Sequence, residues 1–258
     1  MKIMSNYVKG VVDKYALPDS LNSTEKSNVF NPLCIHIDNW AIRNGFSLTD
    51  MKLSGSRAKG TAITLSSDLD IFISISSTVN TQLATIYNSL YDYMRSQNIQ
   101  SRKQNVSIGV SYINKDVDLV PGIRQSQYGD DHSLYKSKQK TWTQTNITTH
   151  ISTVRNSNRS VEIMATKIWR KRHGLDFPSL FTELSVIEAT KYSKYDDYDK
   201  NFLTVLEWLS ENITSVRIID TANTNNVISD DLTDSEKSSI ANKARESRQK
   251  KNWSDIIW

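Results

Sequence analysis

Residues 54–73 read Ser-Gly-Ser-Arg-Ala-Lys-Gly-Thr-Ala-Ile-Thr-Leu-Ser-Ser-Asp-Leu-Asp-Ile-Phe-Ile, and they constrain the chain more than any other stretch. Gly55-Ser56 is followed, twelve residues after the serine, by Asp68-Leu69-Asp70. That triplet opens the apolar run Ile71-Phe72-Ile73-Ser74-Ile75, which predicts a strand. Side chains alternate between the faces of a strand, so Asp68 and Asp70 point one way and Leu69 the other. Two carboxylates side by side repel unless a cation sits between them, and magnesium is a hard ion suited to carboxylate and phosphate oxygen. Gly55 allows close approach of backbone to an anion, and Ser56 adds a hydroxyl beside free N–H groups. No Gly-Lys-Ser/Thr follows, so this is not a Walker A loop. A phosphate cradle next to metal-binding carboxylates is the apparatus of nucleoside-triphosphate chemistry.

The remaining composition sets bounds. A chain of 258 residues makes one large domain or two small ones, and 38% hydrophobic content is enough for a core. No stretch approaches the ~20 apolar residues of a membrane span. The first residues lack the apolar segment of a signal peptide, so a cytoplasmic location is expected. Cys34, the one cysteine, excludes an internal disulfide and a cysteine-rich zinc site. A net charge of +4 is compatible with polyanion binding but far below that of a dedicated nucleic-acid binder.

Taken in order, 5–16 has Val8, Val11, Val12 and Tyr15 at helical spacing, and Pro18 ends that element. A second helical region, 20–43, has Leu21, Val29, Leu33, Ile37, Trp40 and Ala41 as its buried stripe, a kink or break at Asn31-Pro32, and a stop at Gly45. Phe46 to Leu53 reads as a strand leading into the Gly-Ser turn. Asn80–Ser96 is helical, capped by Thr78 or Asn80. Val106, Ile108, Val110 and Tyr112 alternate, so 105–113 is a strand, turning at Asn114-Lys115 into a returning strand, Lys115–Val120, that Pro121-Gly122 ends. On that strand Asp116 and Asp118 share a face, and either could supply a third carboxylate. Residues 123–144 are polar and read as a loop over the site. Trp142 and His150 are expected at a domain junction, with His150 as a ligand or base the weaker alternative.

Residues 159–173 predict an amphipathic helix with Val161, Met164, Ala165, Ile168 and Trp169 inward. Lys167 falls within that apolar register, so it needs an anion, and a triphosphate would serve. Gly174 caps the helix and Phe177-Pro178-Ser179 starts the next. Residues 199–213 form another core helix, 217–220 a short extended piece, and Thr221 to Asp234 a loop. Asp234-Ser235-Glu236 opens a basic last helix that suits a nucleic-acid or partner surface and equally a solvated face.

Gly-Ser, a short helix and Asp-x-Asp on a strand together resemble the signature of the polymerase-β-like nucleotidyltransferases. The stretch from Lys167-Ile168-Trp169-Arg170-Lys171 to Phe177-Pro178-Ser179-Leu180-Phe181-Thr182-Glu183-Leu184 is similar to the helical half of the bacterial CD-NTases, the cyclic-oligonucleotide synthases that resemble oligoadenylate synthases. Ile219-Asp220-Thr221-Ala222-Asn223 looks like their Asp-Pro-Ala-Asn segment, with Thr221 in place of Pro, and Trp253-Ser254-Asp255-Ile256-Ile257 looks like their tail. The resemblance implies an α+β fold. A nucleotidyltransferase lobe with a mixed sheet would span 1–145, and a helical lobe at 146–258 would close the nucleotide cleft. It implies two Mg2+ (or Mn2+) ions held by Asp68, Asp70 and Asp118. Asp118 is preferred to Asp116 because Asp118-Leu119-Val120-Pro121 matches the family's third-Asp segment. Asp118 would also help take the proton from the attacking hydroxyl. Gly55 and Ser56 map to the triphosphate loop, and Lys167 and Ser179 to further triphosphate contacts. Leu180 stands where relatives often place a base-stacking aromatic. The implied partners are nucleoside triphosphates and an activator or regulatory protein, the implied state a monomer, and the implied product a cyclic di- or trinucleotide messenger in antiphage defence. The same chemistry directed at an RNA 3′ end, a small molecule or a protein is the alternative, as is a catalytically silent nucleotide-binding module.

Overall fold

The computed structural model describes residues 6–66 and 68–258; Ser67 and the first five residues, including the expected start of the first helix, lie outside the described residues. In chain order the elements are α1 (Tyr7–Tyr15), α2 (Ser23–Glu25), a π turn (Lys26–Phe30), α3 (Asn31–Asn44), β1 (Leu48–Leu53), α4 (Gly55–Lys59), β2 (Leu69–Ile75), α5 (Leu83–Ser96), β3 (Gln100–Lys103), β4 (Ile108–Tyr112), β5 (Lys115–Arg124), β6 (His132–Lys136) and β7 (Thr141–Thr145). There follow α6 (Ile147–Asn156), α7 (Ser160–Arg172), α8 (Ser179–Ala189), α9 (Tyr198–Asn212), β8 (Ile219–Asp220), β9 (Asn223–Val227) and α10 (Asp234–Gln249). The described residues divide into two compact units, 18–58 with 68–151, and 6–17 with 59–66 and 152–258. The expected boundary at 145/146 therefore differs: α1 belongs to the helical unit, where its Val8, Val11 and Val12 are buried among residues of α7, α8 and α9.

In the sheet unit, β2 lies between β1, antiparallel, and β5, parallel; β4 and β3 continue beyond β5. Ile71, Ile73 and Ile75 of β2, Val117 and Leu119 of β5, and Ile108 and Val110 of β4 share one buried cluster with α3 and α5. Most of the expected stripe is there: Val29 of the π turn and Leu33, Ile37, Trp40 and Ala41 of α3 are buried, while Leu21, before α2, is only half-buried. Pro32 has no N–H for the helical ladder. Just before it the chain widens to a π turn, with Asn31 N donating to Lys26 O, and the helix runs on rather than breaking. Gly45 ends it at φ +69°, the left-handed conformation that suits glycine at a helix C-terminus.

Several expectations are corrected. The turn between β4 and β5 falls at Ile113 and Asn114, both at positive φ, one residue earlier than predicted. Strand β5 does not stop at Pro121-Gly122 but continues to Arg124. Its pairing with β4 ends at Leu119 and its pairing with β6 begins at Gly122, so the proline falls where the strand changes partner. Residues 123–144 are not a loop: β6 and β7 form a hairpin on β5. Likewise 223–227 is a strand paired with β8. Helix α5 starts after Gln82 rather than after Thr78 or Asn80.

Ile37 is fully buried where α3 packs on the sheet. Ile37→Ala should lower the stability of this unit by about 2–5 kcal/mol. Urea unfolding followed by tryptophan fluorescence checks this, Trp40 lying in the same cluster; an unchanged midpoint would contradict the packing.

Candidate active site

The alternation that buries Ile71 and Ile73 turns Asp70 to the opposite face of β2. On β5 the same rule sends Val117 and Leu119 inward and Asp118 outward. The parallel register pairs Asp70 directly with Asp118. Asp116 precedes the stretch of β5 that pairs with β2, which begins at Leu69↔Val117, and its carboxylate faces Arg102 at 3.9 Å. Asp68 is exposed and stands just before β2 rather than within it. Burial lifts the Asp118 carboxyl above its ordinary range and the charge of Asp68 lifts it further; Arg102, Ser107 and Gln104 oppose the rise. A carboxylate crowded in this way gains from a cation.

Gly55 opens α4 at φ +59° directly after β1. A Cβ there would lie 1.8 Å from Asp70 Oδ2 and 2.4 Å from its Cγ, so only glycine lets the turn close over this carboxylate. The turn is tied to the strand by Ser54 N donating to Asp70 O at 2.8 Å. Ser56 follows, half-buried, and Arg57 anchors the short helix by donating to Glu25 Oε2 at 2.7 Å and Ser20 O at 3.0 Å. The sheet unit thus brings Gly55 and Asp70 together and sets Asp118 beside Asp70.

Two residues that sequence reasoning missed hold Asp118. Gln104 Nε2 donates to its Oδ1 at 3.0 Å, and Ser107 Oγ donates to Gln104 Oε1 at 2.9 Å and to Asp118 Oδ2 at 3.4 Å. Both lie between β3 and β4; Ser107 falls in the alternating run read as a strand, but alternation gives only its face and does not mark it, or Gln104 before it, as a partner of the carboxylate. Among the described residues, no three acids, histidines or cysteines stand as a ready group for a metal ion. The donor chemistry nevertheless fits a hard divalent cation. Asp68, Asp70 and Asp118 offer only carboxylate oxygen, and burial first and the Asp68 charge second raise the Asp118 carboxyl.

In the helical unit, Lys167 is buried on α7 as its register predicted, but its anion is a protein carboxylate. Its Nζ donates to Glu183 Oε1 at 2.8 Å, to Thr61 Oγ1 at 2.9 Å and to Thr61 O at 3.4 Å. Lys59 Nζ takes the other carboxylate oxygen, Oε2, at 2.7 Å. The need for an external phosphate, inferred from burial alone, is therefore met internally. Burial works against the Glu183 charge, yet Lys167 and Lys59 hold its carboxyl down at about 2, while burial lowers Lys167 against the pull of Glu183. Arg170, outside the inward stripe predicted for that helix, is also buried and donates to Phe177 O. Ser179 is exposed at the first turn of α8.

Glu183 titrates below its ordinary value of 4.5, so its contribution to stability is complete above pH ~4.5 and is lost as pH falls through about 2. Glu183→Gln leaves two buried ammonium groups facing a neutral amide and should cost about 3–5 kcal/mol at pH 7. Thermal unfolding from pH 7 to 2 checks both. The wild type should lose stability steeply below pH 4.5 and the variant less so; parallel curves would contradict the assignment.

No protein-family model and no curated protein sequence matches the chain. Solved structures do match its fold. Escherichia coli MS115-1 CdnC, solved with ATP, superposes with a TM-score of 0.74 at 20% identity, covering 93% of this chain and 88% of that one. The Bradyrhizobium diazoefficiens CD-NTase CdnG, in complex with GTP, gives 0.73 at 12% identity, covering 98% and 95%. A variant of the Cid1 poly(U) polymerase bound to MgATP gives 0.66 at 10% identity, covering 95% and 93%. The chain has the α+β fold that the CD-NTases share with this polymerase.

Proposed function

We propose that the chain is a metal-dependent nucleotidyltransferase that joins nucleoside triphosphates into a cyclic di- or trinucleotide. The observation that carries this reading is the pairing of Asp70 with Asp118 on adjacent parallel strands, with Gly55 closed against the Asp70 carboxylate. Asp68, Asp70 and Asp118 are the residues that would hold two magnesium or manganese ions. When bound, such ions lower the pKa of an attacking hydroxyl and steady a departing pyrophosphate.

The chain's own residues supply the rest. Gly55 and Ser56 receive the triphosphate through backbone N–H groups and the Ser56 hydroxyl. Gln104 and Ser107 fix the Asp118 carboxylate, so that it is oriented toward the acceptor hydroxyl whose proton it takes. Lys167 has three N–H bonds and three partner atoms already, so no N–H is left for the triphosphate.

The likeness to a CdnE described as a cyclic dinucleotide synthase supports a cyclic product, and that to a CdnC solved in complex with HORMA-deltaN supports control by a partner protein; a messenger role in antiphage defence is part of the same proposal. The likeness to Cid1 favours, as the second reading, nucleotide addition to an RNA 3′ end. The experiment is incubation with the four ribonucleoside triphosphates and Mg2+ or Mn2+, phosphatase treatment and mass spectrometry. A phosphatase-resistant cyclic product is expected; extension of an added RNA with no cyclic product would favour the second reading. Asp68→Asn with Asp70→Asn should reduce turnover at least ~100-fold, since charge stabilisation by metal is worth several kcal/mol. Circular dichroism should be unchanged. Full turnover by the folded double variant would remove the site assignment.

A further inference from the structure

The carboxylate face of the sheet has a second feature beside Asp118. Register places Arg102 of β3, Gly109 of β4, Asp118 of β5 and Asp70 of β2 in one row across the strands. Two residues along, Gln100, Ser111 and Asp116 form the next row. A half-open cavity of about 120 Å3 lies over these rows, lined by Gln100, Ser101, Arg102, Gly109, Ser111 and Asp116. Because the cavity is half-open, it suits the edge of a planar ring rather than enclosing a whole ligand. Gly109 makes its floor: a Cβ there would come within 3.0 Å of Arg102 Nε and 2.7 Å of Gln104 Nε2. The missing side chain is what lets Arg102 lie flat over the sheet.

The lining has a definite chemical preference. Arg102 and Asp116 approach only to 3.9 Å, and their side chains are 57% and 54% exposed, so neither is committed to the other. Asp116 repels a phosphate and Arg102 repels a bare cation, while an apolar group would leave the polar lining unpaired. A neutral heterocycle with two adjacent donors and nearby acceptors meets both. Guanine has that pattern: N1–H and the N2 amino group can both be accepted by one carboxylate, and O6 and N7 suit an arginine fork. Adenine sets its N1 lone pair beside its amino group and would turn that lone pair toward Asp116.

We propose that this cavity reads the base of the acceptor nucleotide and selects guanine, with Asp116 accepting from N1–H and N2–H and Arg102 donating to O6 or N7. Its place beside Asp118, the group assigned to the acceptor hydroxyl, rests on the nucleotidyltransferase reading. Base selection by the cavity can be measured without turnover.

The test is calorimetric titration of the full chain with GMP and with AMP in the absence of metal, for the wild type, Asp116→Asn and Arg102→Gln. Both positions are exposed, so the variants should fold, which circular dichroism checks. The wild type should prefer GMP at least ~10-fold, about 1.4 kcal/mol. Each variant should bring the two nucleotides within about twofold, with the loss falling on GMP, because a hydrogen-bonding site rejects the analogue that leaves its groups unpaired. Equal binding of GMP and AMP by the wild type, or an undiminished preference in both variants, would overturn the proposal. A guanine preference lost in the variants, in a protein that forms no nucleotide bond from any triphosphate mixture, would uphold the cavity and remove the enzymatic reading.

Discussion

The sheet unit depends on burying Ile71, Ile73 and Ile75 of β2 against α3 and α5. A strand has a side-chain period of two, so this burial leaves no freedom in where Asp70 points. Val117 and Leu119 impose the same condition on β5, and parallel pairing then sets Asp118 next to Asp70. Like charges are brought together by apolar packing, which supplies the energy that their repulsion opposes. Gly55 completes the arrangement because the space a side chain would need is already filled by the Asp70 carboxylate. The candidate chemistry is in this sense a by-product of a core that cannot shift register without exposing its isoleucines.

That logic explains which parts were legible in the sequence. The apolar run of 69–75, the alternation in 106–112, and helical spacing in α3, α5, α7 and α9 are local signals. The spacing of Gly55-Ser56 and Asp68-Leu69-Asp70 is equally local. Choosing Asp118 over Asp116 needed a resemblance, because residues two apart on one strand share a face; register separates their places, pairing Asp118 with Asp70 and leaving Asp116 before the stretch paired with β2, opposite Ser111. The hairpin of β6 and β7 was missed because its residues are mostly polar. It is held by backbone pairing and by a buried polar contact: His132 Nε2 meets Ser74 Oγ at 2.7 Å, and His132 Nδ1 meets the Asp130 carbonyl at 2.8 Å. Pro121 reads as a strand end in any local scheme; that β5 changes partner there is visible only in three dimensions.

The cluster around Glu183 shows the same limit in charge rather than in shape. The sequence marks Lys167 as a lysine among apolar neighbours, and the demand for an anion was sound. The partner, sixteen residues away on α8, carries no local sign that it turns inward. Two lysines share one carboxylate, and Thr61 closes the remaining hydrogen bonds. Such a group is expensive to bury and severe to break, so it fixes the packing of α7 on α8 more than it adds net stability. Gln104 and Ser107 illustrate a related blindness: residues that orient a functional carboxylate through hydrogen bonds have no periodicity, and only the folded chain reveals them.

The central claim is that Asp68, Asp70 and Asp118 together make a divalent-cation site for a bound triphosphate. The most direct measurement is electron paramagnetic resonance titration of Mn2+ into the protein with a non-hydrolysable ATP analogue, compared with Asp70→Asn. The account expects wild-type protein to bind two ions per chain, only in the presence of the analogue at micromolar Mn2+, and the variant to lose that binding while keeping its fold. No nucleotide-dependent Mn2+ binding by the wild type, or equal binding by the variant, would contradict it.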